Sequence, residues 1–172
     1  MRGGSITLRE LERYIGSREG LRKDLQKDFR NNRMLAEGDL ETGIHFHLRD
    51  FLKADKRWQI YARAHSKGLG RYPDLTLVQD FKRRIVLELK WSVPRISKKD
   101  RRVLSSFLEA PHARRAYFVT TAGKESDYRK LGAKKTELEK YRLKEIVVAL
   151  GLRGSRLRER KAKRESIREA LM

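Results

Sequence analysis

A chain of 172 residues is long enough for one domain with appendages, and its 43 Lys and Arg against 23 Asp and Glu leave a formal charge of +20. It has no cysteine, which excludes a disulfide scaffold and a Cys-ligated zinc site. No run approaches the ~18 apolar residues of a membrane span, and Met1 to Ser5 lack the hydrophobic stretch of a secretory signal. The expectation is therefore a soluble, intracellular protein without a membrane partner, cytoplasmic or nucleoid-associated. Hydrophobic and charged residues each make up 38%, but the apolar ones cluster, which argues against wholesale disorder. The surplus of positive charge favours a polyanion through counterion release and long-range steering. A nucleic acid is the expected partner; a merely solvated basic surface is the plainer alternative.

Thr7-Leu8-Arg9-Glu10 has the form of a capping box and predicts a short helix to about Tyr14. Ser17 to Arg30 reads as a second helix with Leu21, Leu25 and Phe29 on one face, and Asn31 and Asn32 break it. A third helix is expected from about Met34 to Lys53, with Leu40, Ile44, Leu48 and Phe51 as its apolar stripe. Trp58 to His65 holds an extended segment, and Lys67 to Gly70 a loop. Asp74 to Gln79 and Arg84 to Lys90 are apolar, β-branched runs on either side of a turn, the pattern of a hairpin. Pro94 ends the strand region, Ser97 can cap a helix to about Glu109, and Ala113 to Thr121 is the fourth strand. Ser126 to Leu143 reads as helical, and Glu145 to Leu150 as either strand or helix. From Gly151 onward the chain is a basic tail, helical or disordered, carrying Arg153, Arg156, Arg158, Arg160, Lys161, Lys163, Arg164 and Arg168. The order αβββαβ predicts an α/β protein with a mixed sheet flanked by helices.

Chemistry concentrates in the hairpin. Alternate residues of a strand share a face, so Val86, Glu88 and Lys90 point one way while Ile85, Leu87 and Leu89 point the other. Two opposite charges thus stand beside leucines at the strand's end, which is costly unless they are paired or hold a metal. A three-residue loop of Asp80, Phe81 and Lys82 would pair Gln79 with Arg83 and set Asp74 opposite Glu88, with Cβ atoms ~4.5–5.5 Å apart. Two such carboxylates are natural oxygen ligands for a hard cation. Glu37 extends the stripe of the third helix at its start, and Glu41 lies about 40° further round; either could join them. The plain alternative is that Asp74 caps a turn while Glu88 and Lys90 form an exposed ion pair on an edge strand.

Pro73-Asp74, thirteen intervening residues and then Glu88-Leu89-Lys90 resemble the PD-(D/E)xK nuclease superfamily, which includes restriction endonucleases and archaeal Holliday junction resolvases. Ala36-Glu37-Gly38-Asp39-Leu40 is similar to the acidic helix start that many members place before the hairpin. The resemblance spans roughly Asn31 to Thr121. It implies a restriction-endonuclease-like core, expected over 31–150; the N-terminal helical arm (1–30) and the basic tail (151–172) lie outside the resemblance. It also implies an Mg²⁺-dependent endonuclease for duplex or branched DNA, with Mn²⁺ able to substitute. Asp74, Glu88 and Glu37 become the metal ligands, Lys90 the catalytic lysine, and a homodimer the favoured assembly.

Arg95, Lys98, Lys99, Arg101 and Arg102 begin just after Lys90 and are candidate phosphate contacts, with a solvated helix start as the alternative. Trp91 is expected in core or edge packing, with base stacking the other role. His45 and His47 are two apart on a helix and do not face the same way, so joint metal ligation is not expected. His65, His112, Ser105 and Ser106 have no motif around them. The readings from other classes are a non-catalytic nucleic-acid binder and an RNA-associated basic protein.

Overall fold

The computed structural model describes residues 5–31, 33, 36–62, 73–132 and 135–151. Three helices come first, α1 (Leu8–Gly16), α2 (Leu21–Arg30) and α3 (Glu37–Leu52). The strands β1 (Trp58–Ala62), β2 (Leu75–Gln79) and β3 (Lys82–Lys90) follow, then α4 (Lys98–Leu108), β4 (Arg115–Ala122), a 3₁₀ turn (Glu125–Asp127), α5 (Glu137–Arg142) and β5 (Leu143–Ala149). The strands form one sheet in the order β1-β2-β3-β4-β5. β2 pairs antiparallel with both β1 and β3, and β3-β4 and β4-β5 are parallel. The protein is thus α/β, with a mixed five-stranded sheet flanked by helices.

Side-chain alternation gives the sheet two apolar faces, each with its own core. Ile85, Leu87 and Leu89 of β3, with Tyr117, Val119, Ile146 and Val148, pack against α1, α2 and α3 through residues such as Leu11, Ile15, Leu25, Leu40, Ile44 and Leu48. Val86, Phe118 and Val147 turn to the other face, where Leu104, Phe107 and Leu108 of α4 cover them with Ile96 and Tyr128. The first two helices therefore do not stand apart as an arm: Leu11, Ile15, Leu21, Leu25 and Phe29 belong to the larger core. The Gln26 amide also donates to the carbonyl of Ala149 at 2.9 Å.

The capping box forms, with Thr7 N donating to Glu10 Oε2 and Glu10 N to Thr7 Oγ1 at 2.8 and 3.2 Å. α2 begins at Leu21 rather than Ser17. The turn before it brings Gly20 so close to the Tyr14 carbonyl that a Cβ there would lie 2.1 Å from its oxygen. The largest departure is at 126–143, where one long helix was expected. Among the described residues the stretch is instead broken into a 3₁₀ turn, a separate 3₁₀ position at Gly132 and the six-residue α5. Gly132 adopts φ +52°, and Tyr128 and Leu131 are tied to the carboxylate of Glu145 instead of to a helix ladder. Glu145 to Leu150 resolves as strand up to Ala149. Met34, Leu35, Lys67 to Gly70, His65 and the basic tail lie outside the described residues.

Candidate active site at the end of the central hairpin

The hairpin reaches the expected register by a different route. Gln79 pairs with Lys82 and Val78 with Arg83, so the loop is only Asp80 and Phe81, both at positive φ (49° and 61°). A two-residue loop shifts the strands by one residue relative to the expected pairing. A bulge between Leu77 and Val78 shifts them back, since Leu77 pairs with Ile85, Thr76 with Val86 and Leu75 with Leu87. One step further along the same register sets Asp74 opposite Glu88. β3 lies at the centre of the sheet, not at an edge, which rules out the edge-strand ion pair.

Three oxygens converge on the ammonium of Lys90. Its Nζ donates to Glu88 Oε1 at 2.8 Å and to the Leu89 carbonyl at 2.9 Å, and lies 3.8 Å from Asp74 Oδ2. That Asp74 oxygen also accepts from the backbone N–H of Leu89 at 2.7 Å, so Asp74 is clamped to the strand that carries the other two. Glu88 is 8% exposed, enclosed by the apolar face that β3 shares with Phe118.

Burial makes these charges costly. Desolvation pushes the Glu88 carboxyl up to about 7; the Lys90 hydrogen bond works against that, and the charges of Asp74 and Asp100 add to it. Asp74 is raised as well, first by burial, with Glu41 and Glu37 contributing repulsion. For Lys90, burial disfavours the charge, but the Glu88 hydrogen bond and the carboxylates of Glu88, Asp74 and Glu37 outweigh it, and its pKa rises. One ammonium thus faces more negative charge than it can neutralise.

Glu37, at the start of α3, reaches the site from the opposite face, its Oε2 accepting from Trp91 N at 3.1 Å. Glu41 acts on Asp74 more strongly than Glu37 does, so both helix glutamates belong to the acidic surroundings. Asp100 was missed. It sits in the first turn of α4, hydrogen-bonded to Ser97 Oγ at 2.6 Å; the pattern Ser97-Lys98-Lys99-Asp100 marks a helix start and could have pointed to it.

The basic run divides. Arg95, Lys98, Lys99 and Arg102 are exposed, whereas Arg101 is committed to Glu139, its Nε and Nη2 donating to the two carboxylate oxygens at 2.8 and 2.6 Å. Ser105 Oγ joins the same carboxylate at 2.6 Å, a structural role. Trp91 packs half-buried at the edge of the larger core. His47 pairs with Asp28 at 2.6 Å, away from His45.

Among the described residues no group of three or more His, Asp or Glu is arranged to hold a metal ion. Glu37 is therefore not part of a ready three-carboxylate cage. The chemistry of the donor set nevertheless suits a hard cation: Asp74, Glu88 and the Leu89 carbonyl already surround a positive charge, and the carboxylates are under-compensated. Comparisons with protein-family models, curated proteins and solved structures returned no match.

Proposed function

We propose that this chain is a metal-dependent endonuclease with a restriction-endonuclease-like core, hydrolysing phosphodiester bonds in duplex or branched DNA. The observation that carries the reading is the convergence of Asp74, Glu88 and the Leu89 carbonyl around Lys90, on a strand end whose carboxylates burial and neighbouring acidic groups hold above their ordinary pKa. Unrequited buried charge of this kind is characteristic of functional sites. Asp74, Glu88 and the Leu89 carbonyl would hold Mg²⁺ or Mn²⁺, which supplies Lewis-acid polarisation of the scissile phosphate. Lys90 would release Glu88 and turn to the phosphate, where its ammonium neutralises charge developing on the non-bridging oxygens. Glu37 and Glu41 would keep the field at Asp74 negative, and Glu37 would fix the chain at Trp91. The charge of +20 would hold DNA electrostatically without reading sequence.

Plasmid, linear and four-way-junction DNA incubated with Mg²⁺, Mn²⁺ or EDTA test this. Metal-dependent cleavage is expected, reduced roughly 100-fold or more by Glu88→Ala and by Lys90→Ala. Failure of the unmodified protein to cut any of the three overturns it. A second reading, a non-catalytic nucleic-acid binder, is favoured by one observation: the Lys90 ammonium is already hydrogen-bonded to Glu88 and Leu89, as in a structural ion pair. Tight, salt-sensitive binding without cutting supports that reading, and preference for RNA in competition supports an RNA partner.

A further inference from the structure

Beside the charged end of β3 lies a cleft of about 810 Å³ that no part of the proposed chemistry uses. One wall is the connection from Lys90 to α4, the other the irregular segment around Arg129. Five basic side chains line it and no acidic one does. Two of them serve the walls: Arg101 is held by Glu139 at 2.6 Å and Lys130 by Glu125 at 3.2 Å. Arg95, Lys98 and Arg129 are exposed and make no salt bridge to any described residue. Between them the floor is apolar, formed by Val93, Pro94, Ile96 and Leu131.

The walls are tied together. Arg129 N donates to the Pro94 carbonyl at 2.7 Å. Glu145 pins the second wall, accepting from Tyr128 Oη at 2.9 Å and from Leu131 N at 3.2 Å. A cleft held open in this way binds without first ordering itself. It also lies on the sheet face that Glu88 shares with Val86, where Val93, Ile96 and Leu131 pack.

We infer that this cleft binds an unpaired nucleotide strand, phosphates on Arg95, Lys98 and Arg129 and a base against the apolar floor. Charge alone would suit any polyanion. The apolar floor narrows the choice, because duplex DNA keeps its bases stacked inside and would leave that floor uncovered, while an unpaired base presents a flat apolar face that packs on aliphatic surface and stacks on guanidinium planes. An acidic peptide would use the cations but not the floor. The inference rests on the nucleic-acid partner of the proposed function, not on hydrolysis, and it sharpens the substrate to DNA with single-stranded character.

The test is fluorescence anisotropy with the full chain in EDTA, using a labelled oligothymidylate of about twelve nucleotides and a duplex of equal length. The single strand is expected to bind tighter. Arg95→Ala combined with Arg129→Ala should weaken it about tenfold and lower the salt slope by about 1.4, that of two single-strand phosphate contacts. Lys27→Ala with Arg30→Ala removes the same charge from exposed positions on α2, on the opposite face of the sheet, and should weaken binding no more than about twofold. Equal losses in the two double variants, duplex bound as tightly as single strand, or displacement by polyglutamate as efficient as by unlabelled oligonucleotide each overturn the inference. Cleft-dependent binding by a protein that cuts nothing refutes the nuclease alone. Metal-dependent cutting with binding indifferent to Arg95 and Arg129 refutes the cleft alone.

Discussion

Glu139 and Glu88 are both buried glutamates, 2% and 8% exposed, and their surroundings drive them in opposite directions. Glu139 receives both arms of the Arg101 guanidinium, the Ser105 hydroxyl and the Thr136 backbone N–H. The Arg101 hydrogen bonds lead these in pulling its pKa down to about 2 against the burial that would raise it. Among the described residues Glu88 has a single side-chain donor, Lys90, and further carboxylates act on it, so burial wins and its pKa climbs to about 7. Low exposure alone therefore says little about a carboxylate; the balance between its desolvation and the donors that meet it decides. Where donors are in surplus the group fastens α5 to α4, and where they are short the fold stores an electrostatic demand that a cation can meet.

Breaking the satisfied pair should have the largest effect on stability. Glu139→Ala removes the buried carboxylate that Arg101, Ser105 and the Thr136 backbone share, and a loss of about 2–3 kcal/mol at pH 7 is expected by chemical denaturation. Because the folded pKa is depressed, the stabilisation is fully present above the unfolded value near 4.5 and fades as pH falls through about 2. The variant's deficit should shrink over that window; a deficit unchanged down to pH 3 would show that packing, not charge, accounts for it. Glu88→Gln should go the other way. With a raised folded pKa, Glu88 favours folding most below about 4.5, and that advantage is lost as pH rises through about 7. Removing the charge is expected to stabilise the protein by about 1–2 kcal/mol at pH 8, net of the hydrogen bond that Lys90 forfeits, and by nothing at pH 4.5. Destabilisation at pH 8 would mean that the ion pair outweighs the cost of burying it.

The contrast was half legible in the sequence. Asp74, Glu88 and Lys90 stand out because charges interrupt apolar strand runs, and strand alternation alone puts Glu88 and Lys90 on one face. The facing of Asp74 came from two local errors that cancel: the loop is one residue shorter than expected, and a bulge restores the register. Neither the tight turn of Asp80 and Phe81 nor the bulge leaves a composition signal, since the usual Asn-Gly or Asp-Gly is absent. Glu139 could have been found. Thr136-Glu137-Leu138-Glu139 is a capping-box pattern, and both of its hydrogen bonds form. Weighing it would have started a helix at Glu137 and broken the long helix expected over 126–143. What no local pattern carries is the reach of Glu145 to Leu131 and Tyr128, or of Arg101 to Glu139 across 38 positions. Those contacts exist only once the sheet has brought distant segments side by side.

The smallest effect comes from the far end of the same hairpin and serves as a control for Glu88→Gln. Phe81 holds φ +61° with its side chain 95% exposed, so it has a conformation that costs an L-residue roughly 1–2 kcal/mol and gains almost no burial in return. Phe81→Gly removes that cost but admits more freedom to the unfolded chain, leaving an expected net stabilisation of about 0.5–1 kcal/mol. No titratable group contributes to this gain, so it should be the same at pH 4.5 and pH 8. If Glu88→Gln acted merely by relaxing the hairpin, its pH profile would be as flat as that of Phe81→Gly. A gain for Glu88→Gln that grows between pH 4.5 and 8, beside a constant one for Phe81→Gly, assigns the strain at the end of β3 to charge and the strain at the turn to backbone.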